Sequence, residues 1–302
     1  MKIKLYLILL LSLLGWCNIQ AQDKIVFGDE SAFQRVSFMP CRIKDSLLIG
    51  NSNISVKYRL TRKINDNTYG WCFLKLTISN SISCQLDLHD YANSLIMSDV
   101  YKGRNDIDER LIEMGMNNGD ASSNLFLQIV RNDSLHTLQV SCSDMQITDR
   151  TRMYEEPIPE MNWCVTNKID SICGYTCTLA TAQFRGRTWS GWFTTEIPVS
   201  LGPWKLSGLP GLILKAADES GVYEFECVEL SAEKVPVYVY DYPNKQIISR
   251  REYLKYEKNS YVHPYELLAG GENVVIWKKG TDGSVSEVKE SWVIPYNPIE
   301  LE

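Results

Sequence analysis

Residues 202–214 have the sequence Gly-Pro-Trp-Lys-Leu-Ser-Gly-Leu-Pro-Gly-Leu-Ile-Leu, and this stretch decides how the chain is expected to fold. Pro210 fixes φ and Gly211 tolerates a positive φ, so residues 209–212 are predicted to form a type II turn. The leucines in the stretch require burial. We therefore predict a rigid loop that lies on the hydrophobic core and leads into a strand. A structural role is assigned to Gly202, Pro203, Gly208, Leu209, Pro210, Gly211, Leu212 and Ile213.

The rest of the chain shows the alternation expected of β-strands. Ile54, Val56, Tyr58 and Leu60 alternate with polar residues, which is the period of a half-buried strand. Further short apolar segments follow, and turn residues separate them at intervals that favour antiparallel connections. The predicted fold class is mainly β: a single curved antiparallel sheet or open barrel with a few short helices.

Two capping boxes predict helices. Residues 106–109 start one that ends near Gly115, and residues 249–252 start another that runs to about Tyr256. His263 and Pro264 interrupt any continuation of the second helix.

The first 21 residues have the three parts of a secretory signal. Lys2 and Lys4 precede an apolar run at 5–14, and Ala21 is a small residue at the expected cleavage point. The run is shorter than the roughly 20 residues that a membrane-spanning helix needs. Lipidation of Cys17 is disfavoured because the bulky Trp16 precedes it. We predict a periplasmic or secreted protein with no integral membrane span, rather than an outer-membrane lipoprotein.

Residues 22–302 are predicted to form a single β-rich domain. No internal repeat, low-complexity tract or clear linker divides them. Residues 155–159, Glu-Glu-Pro-Ile-Pro, are the best candidate for a boundary within this domain. Strands resume on both sides, however, and this favours a surface loop.

Composition excludes several functional classes. The chain is 44% hydrophobic and 23% charged, which is typical of a folded globular protein. Its net charge is −6, whereas nucleic acid attracts a positively charged surface, so no nucleic-acid partner is expected. The sequence contains no His-Glu-x-x-His and no Cys-x-x-Cys motif. We therefore expect no metal and no cofactor.

The cysteines suggest disulfide bonds. The chain has nine cysteines, and all but Cys17 lie beyond the predicted signal, in a number that permits pairing in an exported protein. Cys72 and Cys227 have the apolar neighbours of core positions. The disulfide candidates are Cys164, Cys173 and Cys177. A bond from Cys164 to Cys173 or Cys177, across a turn at 167–171, is favoured over a bond within one extended strand.

The search for catalytic residues assigns none. The sequence lacks the Gly-x-Ser-x-Gly pattern of one large class of serine hydrolases. His89 and His136 lie in polar segments and are expected to be exposed, and His263 precedes a proline. These histidines are therefore interpreted as ordinary surface or loop residues.

One cluster remains as a ligand-binding candidate. If residues 185–189 are extended, Arg185, Arg187 and Trp189 share one side of a strand. A guanidinium beside an indole can hold a carboxylate, a sugar acid or a phosphate. The alternative, which we favour, is structural: the arginines pair with neighbouring acids and the tryptophan packs beneath the loop at 202–214.

Residues 208–213, Gly-Leu-Pro-Gly-Leu-Ile, resemble the hexapeptide of the GLPGLI family of exported Bacteroidetes proteins. The segments at 174–177 and 184–187 and the ending at 296–301 are also similar to that family. The resemblance is dense from about residue 163 to residue 230 and thin before residue 150. It implies export and one unified fold, no settled biochemical activity, and a place near outer-membrane transport machinery.

Two classes of function follow. The favoured one is a non-catalytic binding or accessory factor of the cell envelope, whose partner is an outer-membrane or periplasmic protein such as a transporter. The alternative is a periplasmic hydrolase with a site assembled from distant residues, since catalytic triads are recognised by geometry. A pocket that brings a His, Cys or Ser close to a base would favour the hydrolase.

Overall fold

The structure is a computed structural model, and it describes residues 17–20, 24–27, 43–102, 126–143, 151–263, 275–279, 285–287 and 296–302. Two helices are described: α1 (Leu88–Tyr101) and α2 (Arg250–Val262). The strands are β1 (Cys17–Gln20), β2 (Lys24–Phe27), β3 (Asp45–Asn51), β4 (Ile54–Asn65), β5 (Thr68–Ile78), β6 (Ile82–Asp87), β7 (Gln128–Asn132), β8 (Thr137–Ser143), β9 (Thr151–Pro157), β10 (Cys164–Ile172), β11 (Tyr175–Phe184), β12 (Arg187–Thr194), β13 (Leu212–Asp218), β14 (Tyr223–Ser231), β15 (Pro236–Asp241), β16 (Lys245–Ile247), β17 (Val275–Lys279) and β18 (Val285–Glu287).

Twelve of the strands form one sheet, in the order β10-β11-β12-β13-β14-β4-β5-β6-β7-β8-β9-β16. Its pairings are antiparallel except that β16 runs parallel to β9. A second sheet has the order β1-β2-β17-β18, and β15 pairs with β3 in a two-stranded ribbon. The prediction of a mainly β chain with a few short helices is confirmed.

The large sheet is strongly curled. Arg185 lies in the turn between β11 and β12, yet it contacts Glu156 on β9, eight positions away from β12 in the strand order. In a flat sheet, a spacing of about 4.8 Å per strand would separate these two strands by roughly 38 Å. The contact therefore requires the sheet to fold back on itself. Among the described strands, β10 and β16 end the sheet without pairing to each other.

One hydrophobic cluster fills the inside of the curl. It joins Val56, Leu138 and Tyr154 with Trp189 and Phe225, so its members come from both sides of residues 155–159. The inward-facing residues alternate along each strand, as in β14, where Tyr223, Phe225 and Cys227 are buried. The single domain at 22–302 and the signal at 1–21 stay predictions. Strand β1 lies within the predicted signal, just before its last residue.

The loop at 202–211 lies on this core as predicted. Leu206, Leu209, Leu212 and Leu214 are each at most 1% exposed. Trp163 holds the loop from outside the stretch, because its indole Nε1 donates to the carbonyl oxygen of Ser207 at 2.8 Å.

The predicted reason for Gly211 is wrong. Positive φ occurs at Gly208, where φ is 97°, and not at Gly211. Gly211 is required because its backbone passes the end of β12: a Cβ atom there would lie 2.0 Å from the carbonyl oxygen of Thr194. Glycine is required at this position because a Cβ atom has no room, and not because the backbone adopts an unusual angle.

Helix α2 begins where the sequence predicts, and it runs further than predicted. Ser249 is its N-cap, and the Ser249 and Glu252 side chains accept reciprocal backbone hydrogen bonds as a capping box. The helix continues past Tyr256 to Val262, and His263 is its C-cap. The predicted helix at 106–115 lies outside the described residues.

Helix α1 is absent from the sequence prediction. Asp87 starts it: its Oδ1 accepts hydrogen bonds from the backbone N–H groups of His89 and Asp90, at 2.9 and 3.1 Å, which is N-cap geometry. Ala92 and Ile96 are buried against the sheet. The longest described helix has 14 residues, and no described helix combines the length and apolar character that crossing a membrane requires.

The close approach at Gly211 gives a stability prediction. Gly211→Ala is expected to lower the free energy of unfolding by at least about 2 kcal/mol, because the new methyl group must displace backbone. Pro210→Ala at the exposed neighbour is expected to cost less than about 1 kcal/mol, since it changes mainly the unfolded chain. Urea unfolding of both variants measures the difference, and equal losses would contradict the steric explanation.

Candidate functional site

The structure places two of the three residues of the predicted ligand site, Arg187 and Trp189, on the buried face of β12, and the third in the turn before it. Arg185 has φ of 52° and lies in the turn after β11, so residues 185–189 are not continuously extended. Arg187 is 5% exposed and Trp189 is fully buried. Trp189 packs on Trp204 of the 202–211 loop, with ring centroids 5.6 Å apart. The predicted open platform is therefore not formed, and the packing beneath the loop follows the alternative.

Arg187 fastens the C-terminal segment to the sheet. Its guanidinium donates to the Asp218 carboxylate at 2.9 Å and to the Asn297 side chain at 2.5 Å. It also donates to the carbonyl oxygens of Pro298 and Ile299, at 2.5 and 3.1 Å. All these acceptors are internal, so the charge of Arg187 is used within the fold.

Lys205 forms the centre of a buried ion network that joins five distant parts of the chain. Its side chain is fully buried, and Nζ donates to Tyr154 Oη at 2.9 Å and to carboxylate oxygens of Glu156 and Glu300, each at 2.5 Å. Three donors thus meet three acceptors, which satisfies the ammonium group. We define the ion network as Glu156, Arg185, Lys205, Arg250 and Glu300.

Two arginines complete the ion network. Arg185 binds Glu156 at 2.5 Å, and Arg250 at the start of α2 binds Glu300 at 2.5 Å. Burial raises the pKa of Glu300, but the charges and hydrogen bonds of Lys205 and Arg250 outweigh it and hold that pKa below its ordinary value. Buried charges are costly unless they are paired in this way. The ammonium and the carboxylates of the network are therefore paired with the protein's own groups, while Nε of Arg185 is buried without a hydrogen bond and lies 3.7 Å from Glu300.

The positions of the cysteines do not allow the disulfide that the sequence favours, from Cys164 to Cys173 or Cys177. In the ladder of β10 and β11, Cys164 is opposite Thr181 and Cys177 is opposite Asp170. The offset of four residues corresponds to about 13 Å, whereas a disulfide needs Cα atoms within roughly 7 Å. Cys164, Cys173 and Cys177 are free thiols here. Cys72 and Cys227 are buried, as predicted.

The prediction that His89 is exposed is wrong. His89 is 3% exposed and follows Asp87, which is fully buried at the start of α1. Burial raises the pKa of Asp87, although the neighbouring His89 opposes the rise. His136 is exposed as predicted. A histidine and a carboxylate are thus close together, but both are nearly closed to solvent.

A groove lies between α1, the β3–β15 ribbon and strands β4 and β5. It consists of two adjacent cavities of about 390 and 400 Å³, and both are lined by Tyr91, Tyr238 and Tyr240. Cavities of this size are typical of ligand sites. We call it the tyrosine groove and define it by Lys44, Asp45, Lys57, Lys75, Tyr91, Lys102, Glu229, Tyr238 and Tyr240.

Hydrogen bonds fix the walls of the tyrosine groove. Tyr240 Oη donates to Tyr91 Oη at 3.0 Å, which joins the ribbon to α1. The buried amide of Gln128 on β7 accepts from the backbone N–H of Tyr240 at 2.9 Å and donates to its carbonyl oxygen at 3.0 Å. The groove is therefore built on rigid elements.

The charges of the tyrosine groove are mainly positive. Lys57 and Lys75 are directly opposite each other on β4 and β5, and like charges in that position repel. Glu229 is opposite Lys57 on the other side, whereas Leu86 is opposite Lys75. Lys44, Asp45 and Lys102 line the second cavity, and Lys44 Nζ lies 3.8 Å from the Asp241 carboxylate. This positive groove belongs to a chain whose net charge is −6.

Sequence reasoning missed the tyrosine groove for a physical reason. Tyr238 and Tyr240 were recognisable as alternate residues of a strand, but their partner strand β3 lies almost 200 residues earlier in the sequence. No local pattern predicts that pairing. Among the described residues, no group of three or more His, Cys, Asp and Glu side chains is arranged to hold a metal ion.

Comparison with known proteins gives a short family match. The model of a family described as "Protein of unknown function (Porph_ging)" matches residues 185–215, which contain the turn at Arg185, β12 and the 202–211 loop. The match covers a small part of the chain and does not extend to the tyrosine groove. No curated protein matches the sequence. The predicted GLPGLI resemblance stays a prediction.

Solved structures give distant similarities. Two crystal forms of PNGF-II align at TM-scores of 0.43 and 0.40 with 13% identity, over 68% of this chain and 33% and 32% of theirs. The chain thus spans about a third of those proteins. A putative outer membrane lipoprotein-sorting protein domain from Vibrio parahaemolyticus aligns at 0.19 with 8% identity, over 60% of this chain and 85% of that domain. TM-scores below 0.5 do not indicate a shared overall fold.

The ion network gives a prediction about stability. Lys205→Met keeps the apolar stem but removes the ammonium, so it is expected to lower the free energy of unfolding by about 3 kcal/mol. Lys215→Met is the control, because Lys215 is partly exposed and only approaches Glu224 and Glu226 at 3.6 and 3.8 Å. It is expected to cost less than about 1 kcal/mol. Urea unfolding that ranks the two variants equally would contradict a central role for Lys205.

Glu257 gives a prediction about pH. Burial raises its pKa from 4.5 to about 7, although the hydrogen bond from Tyr296 Oη at 3.0 Å opposes the rise. Between pH 4.5 and about 7, the carboxyl of Glu257 is therefore protonated in the folded chain and ionised in the unfolded chain. The free energy of unfolding falls as pH rises through this range. Glu257→Gln cannot titrate, so its stability relative to the natural chain should increase from pH 5 to pH 8, by at most about 3 kcal/mol. Thermal unfolding at both pH values tests this, and a constant difference would contradict it.

Proposed function

We propose that this chain is an exported, non-catalytic cell-envelope protein that binds an extended segment of a partner protein along the tyrosine groove. The observation that carries the proposal is the groove itself: three tyrosine rings line cavities of about 400 Å³ at the side of a rigid sheet. Tyrosine is enriched at protein–protein interfaces because it offers a large apolar surface with one polar tip.

The exposed strand β3 supports an extended partner. Among the described strands, β3 pairs with β15 alone, so its other edge presents backbone N–H and C=O groups. Leu47 and Leu48 on this strand are 67% and 55% exposed, and Tyr238 beside them is 36% exposed. An open edge with apolar side chains suits the addition of a strand from another protein.

Charge supports an acidic partner segment. The tyrosine groove contains Lys44, Lys57, Lys75 and Lys102, against the carboxylates of Asp45 and Glu229. The repulsion between Lys57 and Lys75 would be relieved by an acidic side chain placed between them. The proposed segment therefore carries aspartate or glutamate next to apolar residues.

The hydrolase alternative has less support from the geometry. The described histidine closest to a carboxylate is His89, and neither it nor Asp87 opens to the tyrosine groove in a way that a substrate could reach. A general base must come within hydrogen-bond reach of its substrate. Export and an accessory role at an outer-membrane transporter rest on the N-terminal sequence and on the GLPGLI resemblance.

Affinity capture tests the proposal. The chain without residues 1–21 is immobilised and exposed to detergent-solubilised envelope proteins, and the affinity of each recovered partner is then measured. Leu47→Lys is expected to weaken binding by about tenfold or more, because it places a charge at the apolar edge. Raised salt should weaken binding of the natural chain through its lysines.

Ile169→Lys is the matched control. Ile169 is 68% exposed, almost the same as Leu47, but it lies on β10 at the far edge of the large sheet. Ile169→Lys should change the affinity for the partner by less than about twofold, because the substitution lies outside the proposed contact surface. Equal losses in the two variants, or no partner together with turnover in a peptide or glycan hydrolysis screen, would overturn the proposal.

A further inference from the structure

We propose that Cys173 and Cys227 form a disulfide bond when the chain is in an oxidising compartment. Cys173 Sγ donates to the carbonyl oxygen of Cys227 at 2.8 Å, so the Cys173 sulfur lies directly against residue 227. This pair differs from the pairing that the sequence favours, because Cys227 lies on β14 and not in the β10–β11 hairpin.

The turn that carries Cys173 supports the pairing. Cys173 and Gly174 connect β10 to β11, and both have positive φ, at 51° and 82°. A two-residue turn of this kind normally has asparagine or aspartate before glycine, since other residues are strained there. A cysteine in that position is explained if its sulfur has a specific partner, and the curl of the sheet brings the turn onto β14.

The two sulfurs differ in solvent exposure, and this decides which thiol reacts first with an external disulfide. Cys173 is exposed, whereas Cys227 is 3% exposed. Burial raises the pKa of the Cys227 thiol, and the hydrogen bond and charge of Cys173 raise it further. Cys173 is therefore the thiol that an external disulfide reaches first.

The oxidant is a small or protein-borne disulfide. The Cys173 thiolate attacks one of its sulfurs and releases the other as a thiol, which leaves a mixed disulfide on Cys173. The Cys227 thiolate then attacks the Cys173 sulfur and releases the second thiol. Two protein thiols and one external disulfide thus give one protein disulfide and two external thiols, with two electrons and two protons passing to the oxidant.

The bond would fasten the free end of the large sheet. Strand β10 is a terminal strand, and its side chains Val165 and Ile169 are 55% and 68% exposed. A link from the β10–β11 turn to β14 spans three strand positions beyond β11 and limits how far this end can open. It also restricts the unfolded chain, which is the main way that disulfides stabilise proteins.

Trypsin mapping tests the proposal directly. The full chain is purified in reduced form, incubated with oxidised glutathione, alkylated and digested. Cys173 and Cys177 share the peptide 169–185, and Cys227 lies in the peptide 216–234. A bond to Cys227 links these two peptides, whereas a bond between Cys173 and Cys177 stays within one peptide. We expect the linked pair, which Cys177→Ser keeps and Cys173→Ser removes.

A thermal measurement gives a second readout. Reduction of the oxidised natural chain should lower Tm by roughly 5–10 °C, and Cys173→Ser, a change at an exposed position, should show no redox-dependent shift. The proposal is overturned if Cys173 and Cys227 are both alkylated after oxidation. It is also overturned if the recovered bond joins Cys173 to Cys177 or Cys164, or if Cys173→Ser keeps the linked peptides.

Discussion

The charged side chain of Lys205 is the constraint on which the rest of the structure depends. An ammonium group without solvent must be surrounded by acceptors, and Lys205 obtains them from β9 and from the C-terminal segment. Glu156 and Glu300 lie 49 and 95 residues away in sequence. The loop, the far end of the sheet and the chain ending can therefore be buried only together. Arg250 adds α2 to the same network.

This constraint explains why the distinctive sequence segments meet in one place. The turn at Arg185 and Gly186 contacts Leu301 in the C-terminal segment, whose backbone N–H donates to the Arg185 carbonyl oxygen at 3.0 Å. A Cβ atom on Gly186 would lie 2.7 Å from the Leu301 Cβ atom. These segments are closely fitted to each other, and their contacts maintain the fold.

Local sequence signals predicted much of the fold and little of the candidate site. Alternation predicted the strands, and the residues at Ser249 and Glu252 predicted the start of α2, because both signals act within a few residues. Helix α1 was missed since its N-cap Asp87 ends a strand. No local sequence signal predicted the burial of Lys205, because its partners are distant in sequence and lysine normally lies at the surface. The tyrosine groove depends on the pairing of β3 with β15, which only the folded chain reveals.

The ion network and the tyrosine groove differ in how their cations are paired. The fold supplies acceptors to two buried cations: Lys205 has two carboxylates and a phenol, and Arg187 has a carboxylate and carbonyl oxygens of the C-terminal segment. In the tyrosine groove, Lys75 instead faces Lys57 and Leu86 across its neighbouring strands. Such a pair is unfavourable, although Lys57 itself lies 4.1 Å from the Phe73 ring centroid and opposite Glu229. An anion bound beside Lys75 would relieve this repulsion, whereas the ammonium and the carboxylates of the ion network are already paired with each other.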